Sequence, residues 1–143
     1  MAVKSFRFKN TPEDQERARQ MTEALRGAMP MAAGVKPETE VTRAVLYEVL
    51  VERARQDAKW GQQNHPNGTG GPGLGERAVL ARNWCQRLAA EGNCTWMAIL
   101  EEEITEAYAE RDPEKLRSEL VQAAAVIAAW IECIDRHARQ EAE

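Results

Sequence analysis

Apolar residues in this chain recur at intervals of three and four over most of its length, the spacing that lines one face of an α-helix. Lys36-Pro37-Glu38 opens one such stretch, with Val41, Val45, Leu46, Val49 and Leu50 on a helical spacing, and the pattern carries to about Trp60. Before it, Thr11-Pro12-Glu13-Asp14 reads as a helix start, hydroxyl cap and first-turn proline included, and that helix runs to about Arg26, where Gly27, Pro30 and Gly34 break the pattern. Residues 61–75, GQQNHPNGTGGPGLG, hold six of the nine glycines and two of the six prolines, so no packed element is expected there. Helix resumes near Glu76, passes Trp84 and Leu88, and stops at Gly92-Asn93. Thr95 caps a helix over 96 to about 110, and Asp112-Pro113 ends it and starts another, from Glu114 to about Arg139.

Runs of alternating β-branched and aromatic residues are not visible, so the expected class is all-α. At 143 residues the chain fits one domain. It is read as an N-terminal arm and helix over 1–35 followed by a helical domain over 36–143 that carries the glycine-rich loop 61–75. The net charge of −4, with acids and bases interspersed, excludes a broad basic face for nucleic acid. Cys85, Cys94 and Cys133 have no C-x-x-C spacing and form an odd set, which points to free thiols in a reducing cytoplasm. The start lacks an apolar signal core, and the longest nearly apolar run, 120–131, is too short to span a bilayer. A cytoplasmic protein with no membrane association is expected.

The chemistry-bearing pattern lies in ILEEEITEAY. Glu103 and Glu106 are three apart and share a helix face, Glu102 borders it, and Glu103 sits one turn from Ile99 and Leu100 at the edge of the apolar stripe. The next helix repeats the device with Glu119 and Gln122, at the start of the nearly all-apolar ELVQAAAVIAAWIECI. A helix apolar on all sides is buried in a core or in a subunit interface, and a carboxylate at its mouth is costly unless something positive meets it. Antiparallel helices joined at Asp112-Pro113 would bring the two pairs together. Oxygen ligands converging from two helices suit magnesium, with manganese as the alternative ion.

Glu102-Glu103-x-x-Glu106, followed after twelve intervening residues by Glu119-x-x-Gln122, resembles the MazG-like nucleotide pyrophosphohydrolases, which carry E-E-x-x-E on one helix and E-x-x-D on the next. The likeness covers roughly residues 41–136 and includes Lys59 to Pro66, KWGQQNHP, similar to a tryptophan-containing segment of the nucleotide pocket. It implies a helical bundle of the all-alpha NTP pyrophosphatase type, completed as a homodimer or dimer of dimers. The implied reaction is magnesium-dependent cleavage of a nucleoside triphosphate between the α- and β-phosphates. Glu103, Glu106 and Glu119 would hold metal with help from Gln122, and Glu102 would orient or deprotonate the attacking water. Trp60 and His65 would meet the nucleotide. Lys59, Arg82, Lys115 and Arg117, or a partner subunit, would meet its phosphates, because the lysine and asparagine that many members place beyond the last helix have no obvious counterpart.

The departure is Gln122 where the family usually has aspartate; its carbonyl can still ligate or bond a metal-held water, but it brings no charge. The alternative function is a non-catalytic helical module of the same fold that binds a nucleotide or a protein. A di-iron bundle is excluded, since Glu106, Ala109 and Gln122 stand where its Glu-x-x-His pairs need histidine. The glycine-rich loop reads equally as a connector or a lid, and it lacks the Gly-Lys-Ser/Thr ending of a P-loop. Trp84, Trp96 and Trp130 fall on apolar helical positions and read as core, the cysteines as small core residues or inert thiols, and His137 as an exposed helix-end residue.

Overall fold

The structure is a computed structural model and describes residues 37–142. The helix expected to end near Arg26, and the arm before it, lie outside the described residues. Those described form four α-helices and no strand: α1 (Pro37–Trp60), α2 (Leu74–Ala90), α3 (Trp96–Ala109) and α4 (Pro113–Glu141). None is long and apolar enough to cross a membrane. The chain divides into two compact units between Gln63 and Asn64, with α1 in the first and α2, α3 and α4 in the second.

Within α1, Val45 and Val51 are buried while Leu46, Val49 and Leu50 are exposed. Its polar surface is laced by pairs one turn apart, Arg55 to Glu52 at 2.8 Å and Arg53 to Asp57 at 2.6 Å. Such pairs each contribute only a few tenths of a kcal/mol, about 0.2–0.5 kcal/mol on an isolated helix.

In the second unit α3 is the central element and packs against both α2 and α4. Local chemistry fixes where each helix begins and ends. The Thr95 hydroxyl accepts from the Ala98 amide at 3.2 Å, and the Asp112 carboxylate accepts from the Glu114 and Lys115 amides at 2.9 and 3.0 Å, with Pro113 in the first turn. At the end of α2, Gly92 takes φ 71°, its amide donates to the Ala89 carbonyl, and the Asn93 amide reaches back to Leu88 at 2.8 Å. That is the six-to-one closure of a Schellman motif, which needs the left-handed backbone that glycine tolerates.

The core of this unit is built from small side chains: Ala78, Ala81 and Cys85 from α2, Ala98, Thr105 and Ala107 from α3, Ala123 and Ala128 from α4, joined by Leu116. Thr105 is fully buried, and its hydroxyl is satisfied within its own helix by the Glu101 and Glu102 carbonyls at 2.8 and 3.0 Å. Trp84, Trp96 and Trp130, expected in the core, are only half-buried. An interface packed on alanine brings helices too close together for an indole to fit between them, so the rings lie at its edges. The apolar circumference of α4 is likewise not enclosed: Leu120, Val121, Ile127 and Ile134 are exposed.

Candidate metal centre

Two features place the carboxylates. Glu103 and Glu106 lie one turn apart on α3, and the connection to α4 is short and tied down. In that connection one oxygen of Glu110 accepts from the Arg111 and Asp112 amides at 2.8 and 2.9 Å. Those two donors, Asp112 first, hold the Glu110 carboxyl below its ordinary range. The turn so fixed sets α4 against α3, and Glu119 enters from α4 within two turns of Pro113. One oxygen from each of Glu103, Glu106 and Glu119 then lies within 4.8 Å of the other two, and all three side chains are half-buried.

Partial burial pushes the Glu103 carboxyl above its ordinary range, and the charges of Glu106, Glu102 and Glu119 add to the effect. Its Oε2 is buried with no hydrogen-bond partner. Gln122, exposed on α4, donates from Nε2 to Glu119 Oε2 at 3.0 Å. The positive charge at this cluster comes from α2: Arg82 donates to Glu106 through Nε at 2.9 Å and through Nη2, and its Nε lies 3.8 Å from Glu102 Oε1. The bond to Glu106, then its charge, raises the Arg82 pKa further. Of the four carboxylates gathered here Arg82 pairs with Glu106 and Glu102, so negative charge is left over.

The donor set fits a hard cation. With bonds of about 2.0–2.1 Å in an octahedral shell, neighbouring oxygens on one magnesium ion stand about 3 Å apart and opposite ones about 4 Å. The three oxygens, within 4.8 Å of one another, would have to draw closer for one ion to hold them all. Glu103 Oε2, buried and unbonded, is the atom such an ion would satisfy. Compared with models of known protein families, with curated proteins and with solved structures, the chain has no match.

Of the residues expected to act, the structure brings together Glu102, Glu103, Glu106, Glu119, Gln122 and Arg82. Lys115 and Arg117 are exposed in the first turns of α4. Lys59 and Trp60 end α1, in the other unit, where the ammonium lies 4.9 Å from the centre of the indole. His65 is exposed in the loop. That loop is tied at Gly70, whose amide donates to the Tyr108 carbonyl at 2.8 Å and whose carbonyl accepts from Arg111 Nε at 2.9 Å.

The pairing of Arg82 with the glutamates was not part of the sequence reading, nor was a second pair across the same helices, Arg77 to Glu101 at 2.8 Å. Both span 24 residues, a repeat that acquires meaning only once α2 and α3 are known to pack together. Arg77 and Glu101 border a shallow apolar groove of about 370 Å³ lined also by Leu80, Trp84 and Met97.

Proposed function

We propose that this chain is a magnesium-dependent nucleotide pyrophosphohydrolase of the MazG-like type, hydrolysing a nucleoside triphosphate or related nucleotide to the monophosphate and pyrophosphate. The observation that carries the reading is the convergence of Glu103, Glu106 and Glu119, one oxygen of each within 4.8 Å of the others. A divalent cation held there would offset the charge of substrate phosphates and lower the pKa of a water that attacks phosphorus.

The chain's own groups have distinct tasks in this reading. Glu102, on the same helix and within 3.8 Å of Arg82, is the carboxylate left to orient the water and accept its proton. Arg82 fixes Glu106, and Gln122 fixes Glu119, so that two of the three ligands are held before anything binds. Arg117 and Lys115 supply exposed cations on α4 for phosphate, and His65 remains the group of this unit proposed to meet the base. Exposed Leu120, Val121, Ile127 and Ile134 on α4 support a homodimer or dimer of dimers that covers them; a cytoplasmic location belongs to the same proposal.

A second reading, a non-catalytic module of the same fold, draws on Gln122, which brings an amide in place of a fourth ligand charge. Pyrophosphate release from a panel of ribo- and deoxynucleoside triphosphates, with and without magnesium, separates the two. The enzyme reading expects release with at least one substrate that ceases on chelation. Release that survives exhaustive chelation, or none with any substrate, would overturn it.

A further inference from the structure

Outside the carboxylate cluster, two cysteine thiols of the described residues approach closely. Cys85 Sγ, buried on α2, stands 3.9 Å from Cys94 Sγ, which is exposed in the short connection that leads to the Thr95 cap of α3. Cys133 is placed differently, on α4 beside His137, its sulfur 3.8 Å from Nδ1. We propose that Cys85 and Cys94 form a redox modification site, a dithiol that a hydroperoxide converts to an intrachain disulfide stapling the α2–α3 corner.

Exposure and distance assign the roles. Cys94 is the thiol that a soluble oxidant can reach, and Cys85 is shielded by the core. Burial, with Glu102 and Cys94 alongside, pushes the Cys85 thiol up to about 12, and the same burial keeps a soluble oxidant away from it, so Cys85 acts only on a sulfenic acid formed beside it. In the first step Cys94 sulfur attacks the peroxide, the O–O bond breaks, and Cys94 becomes a sulfenic acid with release of water. In the second, Cys85 sulfur attacks the Cys94 sulfur, the S–O bond breaks, and the hydroxyl leaves with the Cys85 proton as a second water. One dithiol and one hydrogen peroxide give one disulfide and two waters; sulfur is oxidised by two electrons and peroxide oxygen is reduced by two.

Closing 3.9 Å to a disulfide bond of about 2.05 Å asks the sulfurs to approach by about 2 Å. Cys94 lies on exposed backbone between Asn93 and Thr95, and its side chain has room to make that movement. A sulfenic acid formed at Cys94 has the buried thiol as its nearest sulfur partner, which favours the disulfide over further oxidation. The inference does not depend on whether the carboxylates hold a cation.

The test uses the full reduced chain treated with one equivalent of hydrogen peroxide, blocked with N-ethylmaleimide and digested with trypsin. Cleavage at Arg82, Arg87 and Arg111 places the two cysteines in separate peptides, 83–87 and 88–111. The expected result is a fall from three titratable thiols to one, an intact mass lower by about 2 Da, and the two peptides recovered joined, with dithiothreitol restoring all three thiols. Cys94→Ser, a change at an exposed position, should keep its two remaining thiols under the same treatment. Sulfinic or sulfonic acid at Cys94 with Cys85 still free, a cross-link through Cys133, or a disulfide between two chains would overturn the proposal.

Discussion

Glu103→Gln tests the carboxylate cluster through stability as well as activity. Glu103 has its pKa raised, by burial first and then by Glu106, Glu102 and Glu119. A carboxyl whose folded pKa lies above its unfolded one costs stability when ionised: that cost is absent below the unfolded pKa and grows as pH rises through the folded value. Its size follows from the geometry. Charges 4.8 Å apart repel by about 0.9 kcal/mol in water and by about 3.5 kcal/mol at an effective dielectric of 20. These side chains are half-exposed and Arg82 offsets part of the charge, so the lower end applies. Relief of two such repulsions stabilises the metal-free protein by about 1–2 kcal/mol, roughly 5–10 °C in melting midpoint for a unit of this size. The assay is thermal melting in chelator, at pH 8 and again near pH 4. Glu103→Gln should melt higher than wild type at pH 8, the gain should shrink near pH 4, and added magnesium should raise the wild-type midpoint alone while the variant shows no turnover. A variant that melts below wild type at pH 8, or one that keeps wild-type turnover, would refute the assignment of Glu103 to a crowded ligand set.

Three further outcomes follow from the same structure. Gln122→Asp places a charge beside Glu119 and should raise manganese affinity, read by calorimetry, while lowering the metal-free melting point; an unchanged affinity would place residue 122 outside the metal's surroundings. With Leu120, Val121, Ile127 and Ile134 exposed on α4, light scattering at micromolar concentration should give at least a dimer, and a folded monomer would show that this face needs no cover. Gly70→Ala should lower stability to urea by about 1–2 kcal/mol from the left-handed backbone alone. The new methyl would also collide with Arg111 Cγ and displace the side chain that bonds the Gly70 carbonyl; unchanged stability would mean that the loop is not anchored there.

What could be read from the sequence is what local chemistry decides. Pro37, the Thr95 cap, Gly92 and Asp112-Pro113 act on their immediate neighbours, and they set the observed ends of the helices to within a residue or two. The shared face of Glu103 and Glu106 is also local, and the short connection at Asp112 was enough to anticipate Glu119 beside them. Residues whose role depends on a distant element were read less well. The indoles of Trp84, Trp96 and Trp130 satisfy an apolar spacing whether they fill a core or rim it, and only the packing of α3 on its neighbours decides between the two. Arg82, expected to meet substrate phosphates, is instead bonded to Glu106, a pairing that only the packing of α2 on α3 creates, and Cys85 and Cys94 are nine residues apart with nothing in their spacing to bring their sulfurs together.

The small-residue core and the acidic cluster belong to one argument. Ala98 and Ala107 on α3 and Ala123 and Ala128 on α4 are almost fully enclosed, and helix axes packed on such side chains approach toward the short end of the usual 8–10 Å range. A carboxylate reaches only a few ångströms from its helix, so a helix pair packed on alanine suits the meeting of Glu119 with Glu103 and Glu106 within 4.8 Å. Leucine or tryptophan in those enclosed positions would bury more apolar area and hold the helices apart, weakening the cluster while strengthening the core. The alanines give up that burial, and the larger aliphatic side chains of α4, Leu120, Val121, Ile127 and Ile134, are left exposed rather than drawn into the α3–α4 core.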